Sequence, residues 1–263
     1  MLLAFDIGNT TMAIGMFRDA KLVKSWKIKT DRDKTADEYG TVLLNLFQVA
    51  GIPPKKAEAA IISSVVPPLT PVVQDVCRGF FGLEALVVGP GLRTGMPILY
   101  ENPLEVGADR IAAAVAAFEK HGGPVIVVDF GTATTFDAVS AKGEYLGGAI
   151  APGIQISAEA LYLKTARLPR IEIRKPKRAV GRTTVTSMQS GLYFGYVGLV
   201  TNILEEVRKE LGKGGKVIAT GGFGGPITPE VPAIDVFEPD LVLEGLRIIF
   251  ERNREEEIRL PEK

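Results

Sequence analysis

The chain has 263 residues, 46% hydrophobic and 24% charged, and its 31 basic residues equal its 31 acidic ones. A neutral chain gives no global electrostatic reason to bind nucleic acid or an anionic membrane, and no apolar run is long enough for a membrane-spanning helix. The single cysteine, Cys77, excludes an intrachain disulfide and a multi-cysteine zinc site. We therefore expect a cytoplasmic protein with no nucleic-acid or membrane partner.

The first half of the chain predicts three strands in antiparallel succession, followed by alternating helices and strands. The predicted strands are residues 2–5, 12–17, 22–28, 59–66 and 85–88. The predicted helices are residues 35–50, 70–81 and 107–120, each with apolar residues at helical spacing.

The pattern restarts at residue 125. Strands are predicted at 125–128, 136–139, 145–150 and 216–220, and helices at 155–163, 187–211 and 241–251. An offset of 123 residues aligns Asp6 with Asp129 and Gly8 with Gly131, so we expect one α/β unit used twice. The expected domains are residues 1–120 and 121–236, with a terminal helix at about 237–263 packing back on the first.

Each copy opens with an apolar strand that leads into an Asp-x-Gly turn, Asp6-Ile7-Gly8 or Asp129-Phe130-Gly131. Backbone N–H groups in such a turn can bind phosphate oxygens, and the aspartate can hold Mg²⁺ directly or through water. Two copies in the same context favour phosphate binding. The alternative is a pair of plain hairpin turns in a duplicated fold.

Two other segments leave their roles open. No P-loop occurs, and the glycine cluster at 221–225 fits either a turn close to a flat ligand such as adenine or a flexible loop. The basic stretch 164–182 fits either a polyphosphate or nucleic-acid contact or, better, a solvated connection between two elements.

Histidine chemistry is nearly excluded, because His121 is the only histidine and its Lys-His-Gly-Gly-Pro context predicts a solvated loop. Acid–base work must then fall to carboxylates. Asp109, in the segment Gly107-Ala108-Asp109-Arg110 at a predicted helix start, could accept a proton from an attacking hydroxyl. From the residues alone, a helix-capping aspartate with a surface arginine is the better explanation.

Taken together, the motifs resemble those of the type III pantothenate kinases, of the acetate kinase, sugar kinase, Hsp70 and actin superfamily. The resemblance runs along nearly the whole chain. It rests on the segments Asp6-Ile7-Gly8-Asn9-Thr10, Ser63-Ser64-Val65-Val66-Pro67, Gly107-Ala108-Asp109-Arg110, Asp129-Phe130-Gly131-Thr132-Ala133-Thr134-Thr135, Gly147-Gly148-Ala149-Ile150-Ala151-Pro152-Gly153 and Ser187-Met188-Gln189-Ser190-Gly191.

The resemblance implies two ribonuclease H-like α/β domains with ATP in the cleft between them, a homodimer, and phosphorylation of pantothenate to 4′-phosphopantothenate, the entry to coenzyme A synthesis. Asp109 would be the general base, and Asp129 would bind the monovalent cation, K⁺ or NH₄⁺. ATP and Mg²⁺ would contact Asp6, Ile7, Gly8, Asn9, Thr10, Thr11, Met12, Ala13 and Thr132, with Mg²⁺ on Asp6. Pantothenate would contact Tyr100, Gly107, Ala108, Asp109, Arg110 and Thr184.

One position departs from the family pattern, since Thr183 stands where the family commonly has asparagine. Two other functions stay open at this point. One is another small-molecule kinase of the same superfamily, and the other is a non-catalytic regulator that keeps the fold without its chemistry.

Overall fold

The computed structural model describes residues 1–212 and 214–257. The described chain forms two compact units, one of Met1–Glu119 with the segment from Leu241 onward, the other of Lys120–Asp240. Residues 258–263, which we expected at the end of the last helix, lie outside the described residues.

The strands are β1 (Leu2–Ile7), β2 (Thr11–Arg18), β3 (Lys21–Lys29), β4 (Ala59–Ser64), β5 (Ala85–Val87), β6 (Val125–Phe130), β7 (Ala133–Val139), β8 (Tyr145–Pro152), β9 (Lys216–Thr220) and β10 (Val236–Phe237). The helices are α1 (Ala36–Val49), α2 (Leu69–Val76), α3 (Ala108–His121), α4 (Ile154–Lys164), α5 (Thr184–Leu211), α6 (Gly224–Ile227) and α7 (Leu241–Glu257).

The sheet of the first unit has the strand order β3-β2-β1-β4-β5, with β1 antiparallel to β2 and parallel to β4. Leu3, Phe5 and Ile7 alternate along β1 and belong to a buried core with residues of α1 and α2. Because successive strand residues point to opposite faces, Asp6 lies on the other face. Helix α7 packs against β1, β2 and β4 there, with Leu243 beside Gly15 of β2.

The second unit repeats this architecture with the strand order β10-β9-β6-β7-β8. Ile126, Val128 and Phe130 of β6 pack in a core with Tyr196 and Val200 of α5. Asp129 therefore lies on the face opposite α5. The expected class, two ribonuclease H-like α/β domains, is confirmed, and so are the three antiparallel strands that open each copy.

The two copies differ by one residue in their first hairpin. Asp6 is in register with Ala13 on β2, whereas Asp129 is in register with Thr135 on β7, so the offset falls from 123 at the aspartates to 122. The hairpin turn in the second unit is one residue shorter. On the parallel side the copies agree, since Asp6 pairs with Ser63 of β4 and Asp129 with Thr220 of β9.

A close helix crossing holds α3 in the first unit. A Cβ atom on Gly245 of α7 would lie 1.9 Å from the carbonyl oxygen of Ala112 in α3, so the two backbones touch. The alanines of α3 from Ala112 to Ala117 are buried, and their small side chains permit this approach. Among the described residues, no helix has the length and hydropathy that a bilayer span requires.

Several predicted boundaries are wrong, and the errors have physical causes. β1 ends at Ile7 rather than residue 5, and β6 at Phe130 rather than 128, because partners on both sides hold the aspartate backbone in the sheet. Strand β4 stops at Ser64, before the Pro67-Pro68 pair, rather than at 66. Helix 70–81 becomes α2 followed by a π-helical turn, Cys77–Phe81. The short elements α6 and β10 were not predicted.

Candidate active site

The first Asp-x-Gly segment joins the end of β1 to a short turn. Asp6 and Ile7 are still in the strand, and only Gly8, Asn9 and Thr10 form the turn itself. Ile7 and Met12 are fully buried in the core, so any contribution of theirs to an ATP site is through backbone atoms. Asp6 is half-buried on the opposite face.

The turn is held from behind by Thr30, just beyond β3. Thr30 donates through its hydroxyl to the Gly8 carbonyl at 2.7 Å and through its N–H to the Thr10 carbonyl at 3.0 Å. A Cβ on Gly8 would lie 3.0 Å from the Thr11 carbonyl, which explains the glycine. Arg32 donates to the Asn9 side chain at 2.9 Å, so an exposed guanidinium stands beside the turn. A cation in this place favours an anionic ligand.

Val65 connects this turn to the segment that carries Asp109. Its N–H donates to the Ile7 carbonyl at 3.1 Å, which extends the β1–β4 pairing by one residue. On the other side, a Cβ on Gly107 would lie 3.4 Å from Val65 Cγ1, an ordinary van der Waals contact. The end of β1 and the residue before α3 therefore both lie close to Val65, at the carboxyl end of β4, within one unit.

Asp109 is the second residue of α3, and Gly107 precedes the helix. Its half-buried carboxylate accepts a hydrogen bond from the Arg110 N–H at 2.8 Å through Oδ1. The simple N-cap reading is wrong, because the cap position belongs to Gly107, whose carbonyl accepts from Ile111 at 3.2 Å. The helix dipole stabilises the ionised carboxylate in this first turn. Asp109 thus has a half-buried carboxylate in the first turn of α3.

Tyr100 lies in the irregular connection between β5 and α3, seven residues before Gly107, and is half-buried. Asn102 begins a 3₁₀ turn, Pro103–Glu105, that leads from it to α3. All the residues predicted to bind pantothenate, except Thr184, are therefore in the first unit, on this connection or at the start of α3.

In the second unit, hydroxyl residues flank Asp129 on both sides. Its register partners are Thr135 and Thr220, on the same sheet face. A Cβ on Gly221 would lie 2.4 Å from Asp129 Oδ1, and Gly221 has a φ of +93°, so only glycine fits this position. The backbone of the first residue in the glycine cluster therefore lies close to the Asp129 carboxylate.

A buried polar chain continues from this group along the same face. Thr135 donates to Asp137 Oδ2 at 3.1 Å, and the Tyr145 hydroxyl donates to Asp137 Oδ1 at 2.6 Å. Asp137 is 1% exposed. Because Thr135 gives its proton to Asp137, its oxygen can present lone pairs toward the Asp129 side.

Thr132 is an exposed residue of the second turn, and Gly153 packs against it. The Gly153 N–H donates to the Thr132 carbonyl at 3.1 Å, and a Cβ on Gly153 would lie 2.3 Å from that oxygen. Gly153 directly precedes α4. The predicted ATP contact is therefore at the amino end of a helix, where the dipole favours anions.

Thr184 is the first residue of α5 and lines an open groove of about 880 Å³ with Leu161, Arg182 and Met188. Thr183 is the N-cap of this helix. Its hydroxyl accepts a hydrogen bond from the Thr186 N–H at 3.2 Å, and the Thr186 hydroxyl accepts one from the Thr183 N–H at 3.0 Å. Asparagine and threonine both cap helices, so the departure from the family pattern preserves the local structure beside Thr184.

The histidine and the cysteine of the chain are both held within the fold. His121 ends α3 and bonds Glu238 at 2.7 Å, so the expected solvated loop histidine is wrong. Its partner, Glu238, directly follows β10, a strand that was not predicted. Cys77 is fully buried, and burial raises the pKa of its thiol to about 12, which removes it as a nucleophile at neutral pH.

The sequence predicted no role for Ser63 or Gly153, although both lie beside predicted site residues. Both stand inside segments that carry the family resemblance, which was the available signal. Gly221 was predicted, within the glycine cluster, to lie near a flat ligand or in a flexible loop, and its position beside Asp129 was not predicted.

Comparison with known proteins agrees with this arrangement. The family model described as type III pantothenate kinase matches residues 2–206. A type III pantothenate kinase from Geobacter sulfurreducens is 53% identical over 97% of this chain and 100% of its own length. Two solved structures share the fold. One, from Campylobacter jejuni, is assigned to the Baf family transcriptional activators (TM-score 0.60, 19% identity, 96% and 99% coverage). The other is the ethanolamine utilization protein EutJ from Carboxydothermus hydrogenoformans (TM-score 0.54, 16% identity, 94% and 89% coverage).

The structural likenesses show the fold alone, while the family model and the close relative span most of the chain. On those two matches, this chain belongs to the type III pantothenate kinase family.

Proposed function

We propose that this protein transfers the γ-phosphoryl group of ATP to pantothenate, giving 4′-phosphopantothenate and ADP in the first step of coenzyme A biosynthesis. Membership of the family supports the reaction. Within the structure, one observation carries it. Val65 donates its N–H to the Ile7 carbonyl at the end of β1, and a Cβ atom on Gly107 would lie 3.4 Å from Val65 Cγ1, which supports a phosphate turn and a carboxylate base close to one another.

Asp109 is the general base in this proposal. The primary hydroxyl of pantothenate attacks the γ-phosphorus, its proton passes to the Asp109 carboxylate, and ADP leaves. An alcohol is far too weak an acid for a carboxylate to deprotonate beforehand, so the proton moves late in a loose transition state. Positioning and charge neutralisation then supply most of the rate enhancement. The proposed pantothenate contacts are Tyr100, Gly107, Ala108 and Arg110 of the first unit, together with Thr184 of the second.

Asp6 and the first turn fit ATP with Mg²⁺. The donor set is hard oxygen, from a half-buried carboxylate with the hydroxyl of Ser63 in register beside it. No cluster of three or more His, Cys, Asp or Glu side chains occurs in the described part of the chain. A single carboxylate suits Mg²⁺, which keeps waters and phosphate oxygens as its other ligands. When bound, the ion neutralises charge on the phosphates, while Gly8, Asn9, Thr10 and Thr11 orient them.

Asp129 fits a monovalent cation, K⁺ or NH₄⁺, in the second unit. A carboxylate between two threonine positions, with the backbone at Gly221 held close, offers oxygen ligands of moderate total charge. The hydrogen bond from Thr135 to Asp137 supports Thr135 as one such ligand. Thr132, on the neighbouring turn, contacts ATP.

We further propose a cytoplasmic homodimer. The second unit exposes large apolar side chains on or beside α4 and α5, including Ile150, Leu163, Val180 and Phe194. Leu163 and Phe194 lie on the two helices, α4 and α5, that also contribute to the groove that holds Thr184. Apolar surface of this kind is typical of an interface between copies. The single buried cysteine suits a reducing compartment.

The reaction is tested by measuring ADP release with pantothenate present or omitted, in K⁺ and in Na⁺, and by identifying the product by mass spectrometry. We expect release only with pantothenate, faster in K⁺, with one phosphate added to the substrate. The same assay with a panel of sugars and carboxylates in place of pantothenate tests whether the protein is instead another kinase of the superfamily. Release with one of these and none with pantothenate would contradict the proposal.

A further inference from the structure

Ser63 carries a buried hydroxyl that none of the described residues satisfies. The side chain is 0% exposed, and its Oγ makes no hydrogen bond within residues 1–212 and 214–257. Its neighbour Ser64 differs, because its hydroxyl accepts from the Val66 N–H and donates to the Val66 carbonyl, both at 3.2 Å. A buried hydroxyl without a partner has lost its hydrogen bonds to water and gained none in return, which is destabilising. Such a residue needs an explanation that packing does not supply.

The nearest position that could supply an acceptor is Asp6. The parallel pairing of β1 with β4 sets Ser63 directly opposite Asp6. Both side chains lie on the face opposite the core that holds Phe5 and Ile62. Neighbouring strands are about 4.8 Å apart, so the Ser63 and Asp6 side chains project from adjacent positions on one face of the sheet. A carboxylate has room for about four hydrogen bonds and can accept this one beside its others.

The second unit also has a hydroxyl residue directly opposite its strand aspartate. Thr220, 2% exposed, is in register with Asp129 across the same kind of parallel pair. The two copies diverge on the antiparallel side, where Ala13 and Thr135 occupy the matching positions. A buried hydroxyl beside the strand aspartate is therefore a shared feature of the two copies, while the hairpin beside it has changed.

We propose that Ser63 is a positioning residue for Asp6. When Mg²⁺ and nucleotide bind, the Ser63 hydroxyl donates to the Asp6 carboxylate and fixes the oxygen that faces the ion or its water. Ligating carboxylates are commonly held by such a second hydrogen bond, and its loss weakens metal affinity. This inference rests on the proposed function of Asp6 as the Mg²⁺ residue.

Calorimetric binding of Mg·ADP to the full-length protein tests it. Ser63→Ala should weaken Mg·ADP binding about tenfold, the low end of the range for such second hydrogen bonds. Binding of ADP in EDTA should not change. The melting temperature should stay level or rise slightly, because the substitution removes an unsatisfied buried group. Ser64→Ala is the matched control, and we expect it to lower the melting temperature and leave Mg·ADP affinity within about twofold.

A double-mutant cycle decides whether Ser63 acts through Asp6. In an Asp6→Asn background, Ser63→Ala should cause no further loss of Mg·ADP affinity. Wild-type Mg·ADP affinity in Ser63→Ala overturns the proposal. So does a loss that persists in the Asp6→Asn background, or an equal loss in EDTA. Pantothenate takes no part in this assay, so a failure of the proposed reaction would show in ADP release and leave the Ser63 result readable.

Discussion

A Cβ atom placed on Gly107 would lie 2.4 Å from Oδ1 of Asp109, two residues along the chain. That distance is shorter than any van der Waals contact, so the carboxylate occupies the space where a side chain would stand. The same oxygen accepts the Arg110 N–H. Glycine at 107 is therefore a condition for the carboxylate orientation on which the proposed base depends.

Gly107→Ala should separate orientation from binding. The added methyl group displaces the Asp109 carboxylate, and a shift of about 1 Å in a catalytic group can cost on the order of 100-fold in rate. We expect kcat to fall by about 10- to 100-fold, with Mg·ADP affinity within about twofold of wild type. Steady-state kinetics and calorimetry measure the two quantities.

The control for this substitution is Gly79→Ala in the same unit. Gly79 is exposed, and a Cβ there would meet nothing within 4 Å. We expect unchanged kinetics and equal or slightly higher stability. An unchanged kcat in Gly107→Ala would mean that the Asp109 orientation does not limit the reaction.

A second glycine substitution tests the cation group in the other unit. Gly221→Ala combines a left-handed backbone with a contact of 2.4 Å to Asp129, so we expect a loss of about 2 kcal/mol or more and a melting temperature lower by roughly 5 °C. The K⁺ concentration for half-maximal activity should rise. Gly222→Ala, which has open space at Cβ, should change neither quantity. A normal K⁺ response in folded Gly221→Ala would remove Gly221 and Asp129 from the cation site.

The fold was largely predictable, because it follows from local patterns. Strand alternation, the Asp-x-Gly repeat and the helical spacing of apolar residues gave the α/β class and the duplication. The strand ends and the short strand that were not predicted depend on pairing with strands distant in the sequence. β1 extends through Asp6 and Ile7 because β4, more than fifty residues later, pairs with them. The short strand β10 exists only through its pairing with β9, which a local pattern does not reveal.

The sequence pointed to candidate site residues but not to their arrangement. Asp6, Asp109 and Asp129 stood out by type and motif. The roles of their neighbours depend on register, which sequence spacing did not give. A one-residue difference in hairpin length places Ala13 beside Asp6 but Thr135 beside Asp129. Likewise, Ser63 becomes informative only once β4 is known to be parallel to β1.

The Glu238 contact predicts a pH-dependent stability. Burial works to raise the pKa of Glu238, but hydrogen bonds from Lys120 and His121 outweigh it and hold the pKa below its ordinary value. A carboxyl with a lowered folded-state pKa stabilises the protein above its unfolded-state pKa, and that stabilisation is lost as the pH falls through the folded-state value.

Glu238→Gln should therefore cost about 1–2 kcal/mol at pH 7, and the difference from wild type should shrink as the pH falls below about 4. Urea denaturation between pH 3.5 and 8 gives the two curves. Glu205→Gln, at an exposed position on α5, should differ little from wild type throughout. A Glu238→Gln deficit that stays constant down to the lowest pH would rule out the ion pairs as its cause.

The apolar surface of α4 and α5 predicts how the homodimer can be broken. Leu163→Asp with Phe194→Asp introduces two charges among exposed apolar side chains, which an interface core does not tolerate. We expect sedimentation velocity to show a dimer for wild type and a monomer for the variant. Val49→Asp, at an 89% exposed position of the first unit, should remain a dimer. A dimeric double variant would place the interface elsewhere.

The central claim is that Asp109 serves as the base for a phosphoryl acceptor brought beside the first phosphate turn. Asp109→Asn tests it most directly, because the amide keeps the shape of the side chain and removes its capacity to take a proton. We predict wild-type affinity for Mg·ADP, with a rate of 4′-phosphopantothenate formation lower by about 100-fold or more. Turnover at the wild-type rate by purified Asp109→Asn would contradict the account.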